Sequence, residues 1–192
     1  LSRRRLYADG TVFSVKEMRN LAMGLSLDAF RKQLGPFALI QKPEDAGPIK
    51  TQMMGSDRTV MARPDQISQG ALALLFGFED LTVATLPPME TVNELTVGRQ
   101  PDCDLVLDEP SVSKRHAELH WDTAHRRCIL KELGSTNGTY LNAARIKQRE
   151  VILKDGDIVS FGEAQFWFVL TETLYARLSE HSGSRKLRSR SG

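Results

Sequence analysis

A chain of 192 residues has room for one ordinary domain with a substantial extension, since domains of about 100–150 residues are the commonest. Hydrophobic residues at 41% and charged residues at 26% exclude wholesale disorder, while a formal charge of +2 says little about partners. No apolar run approaches the roughly 18 residues a membrane-spanning helix needs, and the basic start Arg3-Arg4-Arg5 leads into Tyr7, Asp9 and Gly10 rather than the apolar core of a secretory signal.

From the N-terminus, Val15, Met18, Leu21, Ala22 and Leu25 recur at helical spacing. A second start follows Gly24, with Ser26 as N-cap and Asp28 in the first turn; this helix buries Leu27, Phe30 and Leu34 and stops at Gly35-Pro36. Residues 37–40 read as a short strand. Residues 42–69, rich in Pro, Gly, Asp and Ser, read as a linker with one strand near 59–62, and Thr51 and Thr59 there are candidate phosphorylation sites that would fold the segment back onto the binding site. The run 71–76 is apolar enough for a core, but periodicity does not separate strand from helix there.

The pattern changes after Glu79. Runs of β-forming residues at 81–86, 94–97, 105–107, 117–121, 128–132, 140–141, 151–153, 158–161 and 165–170 alternate with turn chemistry such as Asn137-Gly138 and Asp155-Gly156, which is sandwich spacing without the alternation of a parallel sheet. Beyond Thr171 a short helix to about Leu178 is expected, then a disordered tail from Ser179 carrying Arg185, Lys186, Arg188 and Arg190. Cys103 and Cys128 lack metal-ligand spacing and fit reduced thiols in a cytoplasm, with a disulfide as the alternative.

Three motifs end predicted strands in order: Gly98-Arg99, then Ser113-Lys114-Arg115-His116, then Gly134-Ser135-Thr136-Asn137-Gly138-Thr139. A guanidinium fork with neighbouring hydroxyl and amide donors matches a phosphate when the three turns converge. A Ser-His hydrolase reading fails for want of a nucleophile elbow, and residues 1–80 hold no nucleotide loop, kinase signature or metal-spaced cluster.

The constellation resembles the forkhead-associated (FHA) domain, a phosphothreonine-binding β-sandwich, over residues 80–172. The resemblance implies a mainly β fold, an FHA-like antiparallel β-sandwich with a small N-terminal helical extension. Residues 1–79 are then an extension and linker of unknown role that packs against or regulates the sandwich, and residues 173–192 a short helix and a basic Ser/Arg-rich disordered tail.

By the same resemblance Arg99, Ser113, Lys114, Thr136 and Asn137 bind the phosphopeptide, with Arg99 the main phosphate ligand and Asn137 on the peptide main chain. Gly98, His116, Ser135 and Gly138 support the site, and Arg115 serves the outer rim. Some relatives carry an arginine two residues before the binding serine to select a downstream acid; Ser111 stands there in this chain. The implied function is a non-catalytic phosphothreonine-peptide-binding adaptor in Ser/Thr kinase signalling, cytoplasmic, not an enzyme, with no cofactor and no metal. Its partner is a phosphothreonine-containing protein, a Ser/Thr kinase or its substrate, rather than a membrane or nucleic acid. The alternative is a phosphate-independent interaction scaffold built on the same fold.

Overall fold

The computed structural model describes residues 6–8, 12–42, 82–85, 94–147 and 150–188. The readings at 43–69 and 71–76, including Thr51 and Thr59, lie outside these residues. Ser14 caps the first helix, α1 (Val15–Gly24), through a capping box: its hydroxyl accepts the Glu17 N–H at 3.2 Å and its own N–H donates to the Glu17 carboxylate at 2.7 Å. The second, α2 (Leu27–Leu34), starts at Ser26 and ends at Gly35, whose φ of 76° and ψ of −169° are a backbone conformation open essentially to glycine alone. Phe30 and Leu34 are buried as expected, Leu27 only half so.

Thirteen strands are described: β1 (Leu6–Ala8), β2 (Val12–Ser14), β3 (Phe37–Gln41), β4 (Thr82–Thr85), β5 (Glu94–Gly98), β6 (Leu105–Leu107), β7 (Ala117–Asp122), β8 (Arg127–Glu132), β9 (Thr139–Leu141), β10 (Ala144–Ile146), β11 (Glu150–Leu153), β12 (Ile158–Phe161) and β13 (Ala164–Leu170). They form a six-stranded sheet in the order β1-β6-β5-β7-β8-β11 and a seven-stranded sheet in the order β10-β9-β12-β13-β3-β4-β2. All pairings are antiparallel except β5 with β6, a parallel pair that the turn pattern did not lead us to expect. The loop between them carries the chain from the end of β5 back to the start of a strand running the same way.

Alternation along the strands puts Leu95, Val97, Leu119, Trp121, Cys128, Leu130, Phe161, Phe166 and Phe168 between the sheets. Strands β3 and β13 are apolar on both faces. Their alternate residues Ala38, Ile40, Trp167 and Val169 point away from the sandwich into a second core, completed by Val15, Met18, Ala22, Phe30 and Leu34 of the first two helices and by Leu174 and Leu178. The last two belong to the third helix, α3 (Thr171–Arg188). Its start is fixed to the α2–β3 corner, where the Thr171 hydroxyl donates to the Gly35 carbonyl at 2.7 Å, and Tyr175 donates to the Leu25 carbonyl at 2.9 Å.

Three expectations change. The boundary at residue 80 is not a break in the fold, because β3 lies between β13 and β4 and puts Phe37 and Leu39 into the inter-sheet core. The last helix does not stop near Leu178 but has the bounds Thr171–Arg188. Strands β1, β2 and β10, three residues each, were not among the expected runs.

Candidate functional site

The three motifs meet at one rim of the sandwich. Gly98, the last residue of β5, is buried, and its role is close approach rather than a bend. A Cβ there would stand 2.2 Å from the Lys114 carbonyl oxygen and 2.9 Å from the Cys103 sulfur. That bare backbone lets the two loops zip together, with Arg99 N–H donating to the Ser113 carbonyl at 3.0 Å and Gln100 N–H to the Lys114 carbonyl at 3.1 Å. Arg99 itself is exposed. Its Nε donates to the Val112 carbonyl at 3.3 Å, which aims the side chain along the second loop and leaves the terminal nitrogens without a carboxylate partner among the described residues.

The second and third motifs are joined at Ser113. Its Oγ accepts the Thr136 N–H at 3.0 Å and lies 3.5 Å from the Thr136 hydroxyl. Thr136 and Asn137 are exposed at the tip of the third turn, and Asn137 Nδ2 donates to the Ser111 carbonyl at 2.8 Å. The turn is closed by Ser135, whose hydroxyl accepts the Gly138 N–H at 3.0 Å, and by the left-handed Gly138, φ 86°. Lys114 is exposed beside Ser113, whereas Arg115 is engaged on the flank by Asp102 at 2.7 Å, which lowers the Asp102 pKa through that hydrogen bond.

His116 is fully buried beneath these loops. The Ser113 N–H donates to its Nδ1 at 3.0 Å, so the neutral ring carries its proton on Nε2, which donates to the Gly138 carbonyl at 3.2 Å. The ring packs edge-on against Phe161, centroids 5.7 Å apart. Both nitrogens are thus spent on backbone, and neither faces the Ser113 hydroxyl as a base would. Burial pushes the His116 pKa below its usual 6.5 despite the opposing Gly138 carbonyl, which keeps the ring neutral.

The motifs do not include Glu132, which holds the third turn from below. This buried carboxylate accepts the Gly134 N–H at 2.7 Å and the Ser135 N–H at 2.6 Å. Burial alone would raise its pKa, but the bonds from the Ser135 side chain and from the Ser135 and Gly134 N–H groups outweigh that and hold it lowered. Its sequence signal was available: in β8 the inward positions are Cys128, Leu130 and then Glu132, a charge where alternation demands an apolar residue. Asp104 plays a similar part in the first loop, accepting the Thr96 N–H at 2.7 Å and the Thr96 hydroxyl at 2.8 Å.

Among the described residues, no group of three or more His, Cys, Asp or Glu is placed to hold a metal ion, no helix is long and apolar enough to cross a membrane, and Cys103 and Cys128 are free thiols. Burial raises the Cys128 pKa beyond the range of ordinary thiols, so it serves as core rather than as a nucleophile.

Comparison with known proteins places this rim in a family context. The model of the FHA domain matches residues 95–162, which span all three motifs. Over 77 residues the chain is 39% identical to the DNA damage response protein kinase DUN1 of Saccharomyces cerevisiae, covering 38% of this chain and 15% of that one. Over 74 residues it is 35% identical to the glycogen accumulation regulator GarA of Mycolicibacterium smegmatis, covering 38% and 44%. Among solved structures, that of Mycobacterium tuberculosis EmbR in complex with a low-affinity phosphopeptide matches with 31% identity and a TM-score of 0.40, covering 46% of this chain and 21% of that chain. The chain spans less than half the length of the curated relatives it matches.

Proposed function

We propose that this chain, which belongs to the FHA-domain family, is a non-catalytic adaptor that binds phosphothreonine peptides in Ser/Thr kinase signalling. One observation carries the reading: three loops joined by backbone and side-chain bonds bring the exposed Arg99, Lys114, Thr136 and Asn137 and the half-buried Ser113 to one rim, and the Arg99 fork has no carboxylate of its own among the described residues.

A phosphorylated threonine brings about −1.5 to −2 charges and three strong acceptor oxygens. The guanidinium of Arg99 takes two of them as a fork, and Lys114 adds a mobile point charge. Ser113 Oγ already accepts the Thr136 N–H at 3.0 Å, and its own hydrogen, which makes only a long bond of 3.5 Å to the Thr136 hydroxyl, turns outward to the third oxygen with that hydroxyl beside it. Asn137 bonds the main chain next to the phosphothreonine. Gly98, His116, Ser135 and Gly138 hold these groups in place, so the donors are ordered before the ligand arrives and little conformational entropy is lost on binding.

The role calls for no cofactor, metal or nucleophile. A cytoplasmic setting suits the two free thiols, and the partner is a phosphothreonine-containing protein, a Ser/Thr kinase or its substrate. The kinase named among the relatives is consistent with that setting. Capture from a phosphothreonine peptide library tests the proposal, with Arg99→Ala alongside. The parent protein should retain phosphorylated members and the variant should lose them while melting at the same temperature, because an exposed arginine leaves no cavity behind. Retention of unphosphorylated members by both proteins would favour a phosphate-independent scaffold instead.

A further inference from the structure

The second and third loops of the site are held by a further segment that none of the motifs contains, residues 162–163 between β12 and β13. Gly162 N–H donates to the Gly138 carbonyl at 3.1 Å, and Glu163 N–H donates to Ser111 Oγ at 2.9 Å. The approach is tight. Gly162 is left-handed, φ 59°, and a Cβ on it would stand 2.6 Å from both the carbonyl oxygen and the hydroxyl of Ser111.

Ser111 is the residue whose carbonyl accepts Asn137 Nδ2 at 2.8 Å. A carbonyl only accepts, so the Asn137 amide must face it with nitrogen, and Oδ1 is turned to the other side, an acceptor without a partner among the described residues on an exposed side chain. The geometry points to residues 162–163 as a positioning element of the peptide site: they fix Ser111, and the Ser111 carbonyl fixes the Asn137 amide so that its oxygen is offered to a backbone N–H of the ligand. This deepens the phosphopeptide reading and rests on it. Ser111 thereby has a task of its own in the second loop, and Glu163 contributes only its N–H, so its side chain is free to vary.

A double-mutant cycle tests the coupling, with binding of one phosphothreonine peptide read by calorimetry. In the parent background Asn137→Ala should weaken binding about tenfold, the equivalent of one good hydrogen bond. In a Gly162→Ala background, where Ser111 is displaced, the same change should cost less than about twofold. Ser111→Ala, which removes only the acceptor of the Glu163 N–H, runs the same cycle if Gly162→Ala does not fold. Full additivity in the cycle overturns the inference.

A second readout needs no ligand. In the free protein one Asn137 side-chain amide proton should exchange slowly with solvent by NMR, and Ser111→Ala should speed it. Equal exchange in both proteins overturns the positioning role. If the parent binds no phosphothreonine peptide, the proposed function fails, and the exchange measurement still decides this inference.

Discussion

Replacing His116 with alanine separates a loop-holding role from ligand contact, and the structure sets the size of the effect. The change removes the acceptor of the partly buried Ser113 N–H, which has no other partner among the described residues, whereas the Gly138 carbonyl keeps the Gly162 N–H. One unsatisfied buried donor costs about 1–3 kcal/mol. Loss of the edge-on contact with Phe161 adds about 0.5–1.5 kcal/mol. For a chain of this size each kcal/mol lowers the melting temperature by about 2–4 °C, so the two together should lower it by roughly 3–18 °C.

His116→Asn keeps an acceptor near the Nδ1 position but gives up the bond to Gly138, so it should fall between parent and alanine. The assay is thermal unfolding by circular dichroism beside calorimetric peptide binding, and both should decline in the order parent, Asn, Ala. Unchanged melting with abolished binding would put the ring in direct contact with ligand and refute the argument.

Acid probes the same group from a second direction. The folded pKa of His116 is depressed, so the stability its neutral ring provides is complete above the unfolded value of 6.5 and is lost as the pH falls through the folded one. Protonation places a second donor against the Ser113 N–H. Thermal stability of the parent should decline below about pH 6.5, and His116→Asn should lack that part of the decline; the same acid profile in both proteins would show that His116 is not the group responsible. Because phosphate titrates near pH 6, the unliganded protein is the one to measure.

Two other expectations follow from the packing. Gly98→Ala should destabilise the protein by more than about 2 kcal/mol and weaken binding with it, because the new methyl meets the Lys114 carbonyl at 2.2 Å where neither backbone has room to move; a variant that melts like the parent would show that the loops can separate at no cost. A fragment of residues 80–192 should aggregate or unfold without cooperativity in chemical denaturation, since it lacks β3 from the middle of the larger sheet and both Phe37 and Leu39 from the core, where loss of one buried Phe already costs about 3–5 kcal/mol. A soluble fragment with a sharp transition would restore the boundary at residue 80.

The site was more legible in the sequence than the domain boundary, and the reason is physical. Gly98-Arg99, the Ser113–His116 stretch and Asn137-Gly138 each need particular residue types at one turn, so local sequence carries them. Support from a distance leaves a fainter mark. Gly162 reaches Ser111, and Glu132 reaches the turn at 134–135, through contacts that depend on which loops the fold brings together. The run 37–40 could be recognised as a strand because it is apolar throughout, yet the same property means it is buried on both faces, and only the sheet order shows it inserted between β13 and β4. The helical pattern of Val15, Met18 and Ala22 was plain as well; what it covered, the outer face of β3 and β13, was not.

The central claim is that this rim distinguishes a phosphorylated threonine from a bare one. The most direct measurement is calorimetric titration of the full chain with one peptide, drawn from the library capture, in its phosphothreonine and unphosphorylated forms. Saturable binding of the first and none of the second is expected, because the Arg99 fork and the Ser113 and Thr136 donors find no equivalent acceptors on a hydroxyl. Equal affinity for the two forms would contradict it.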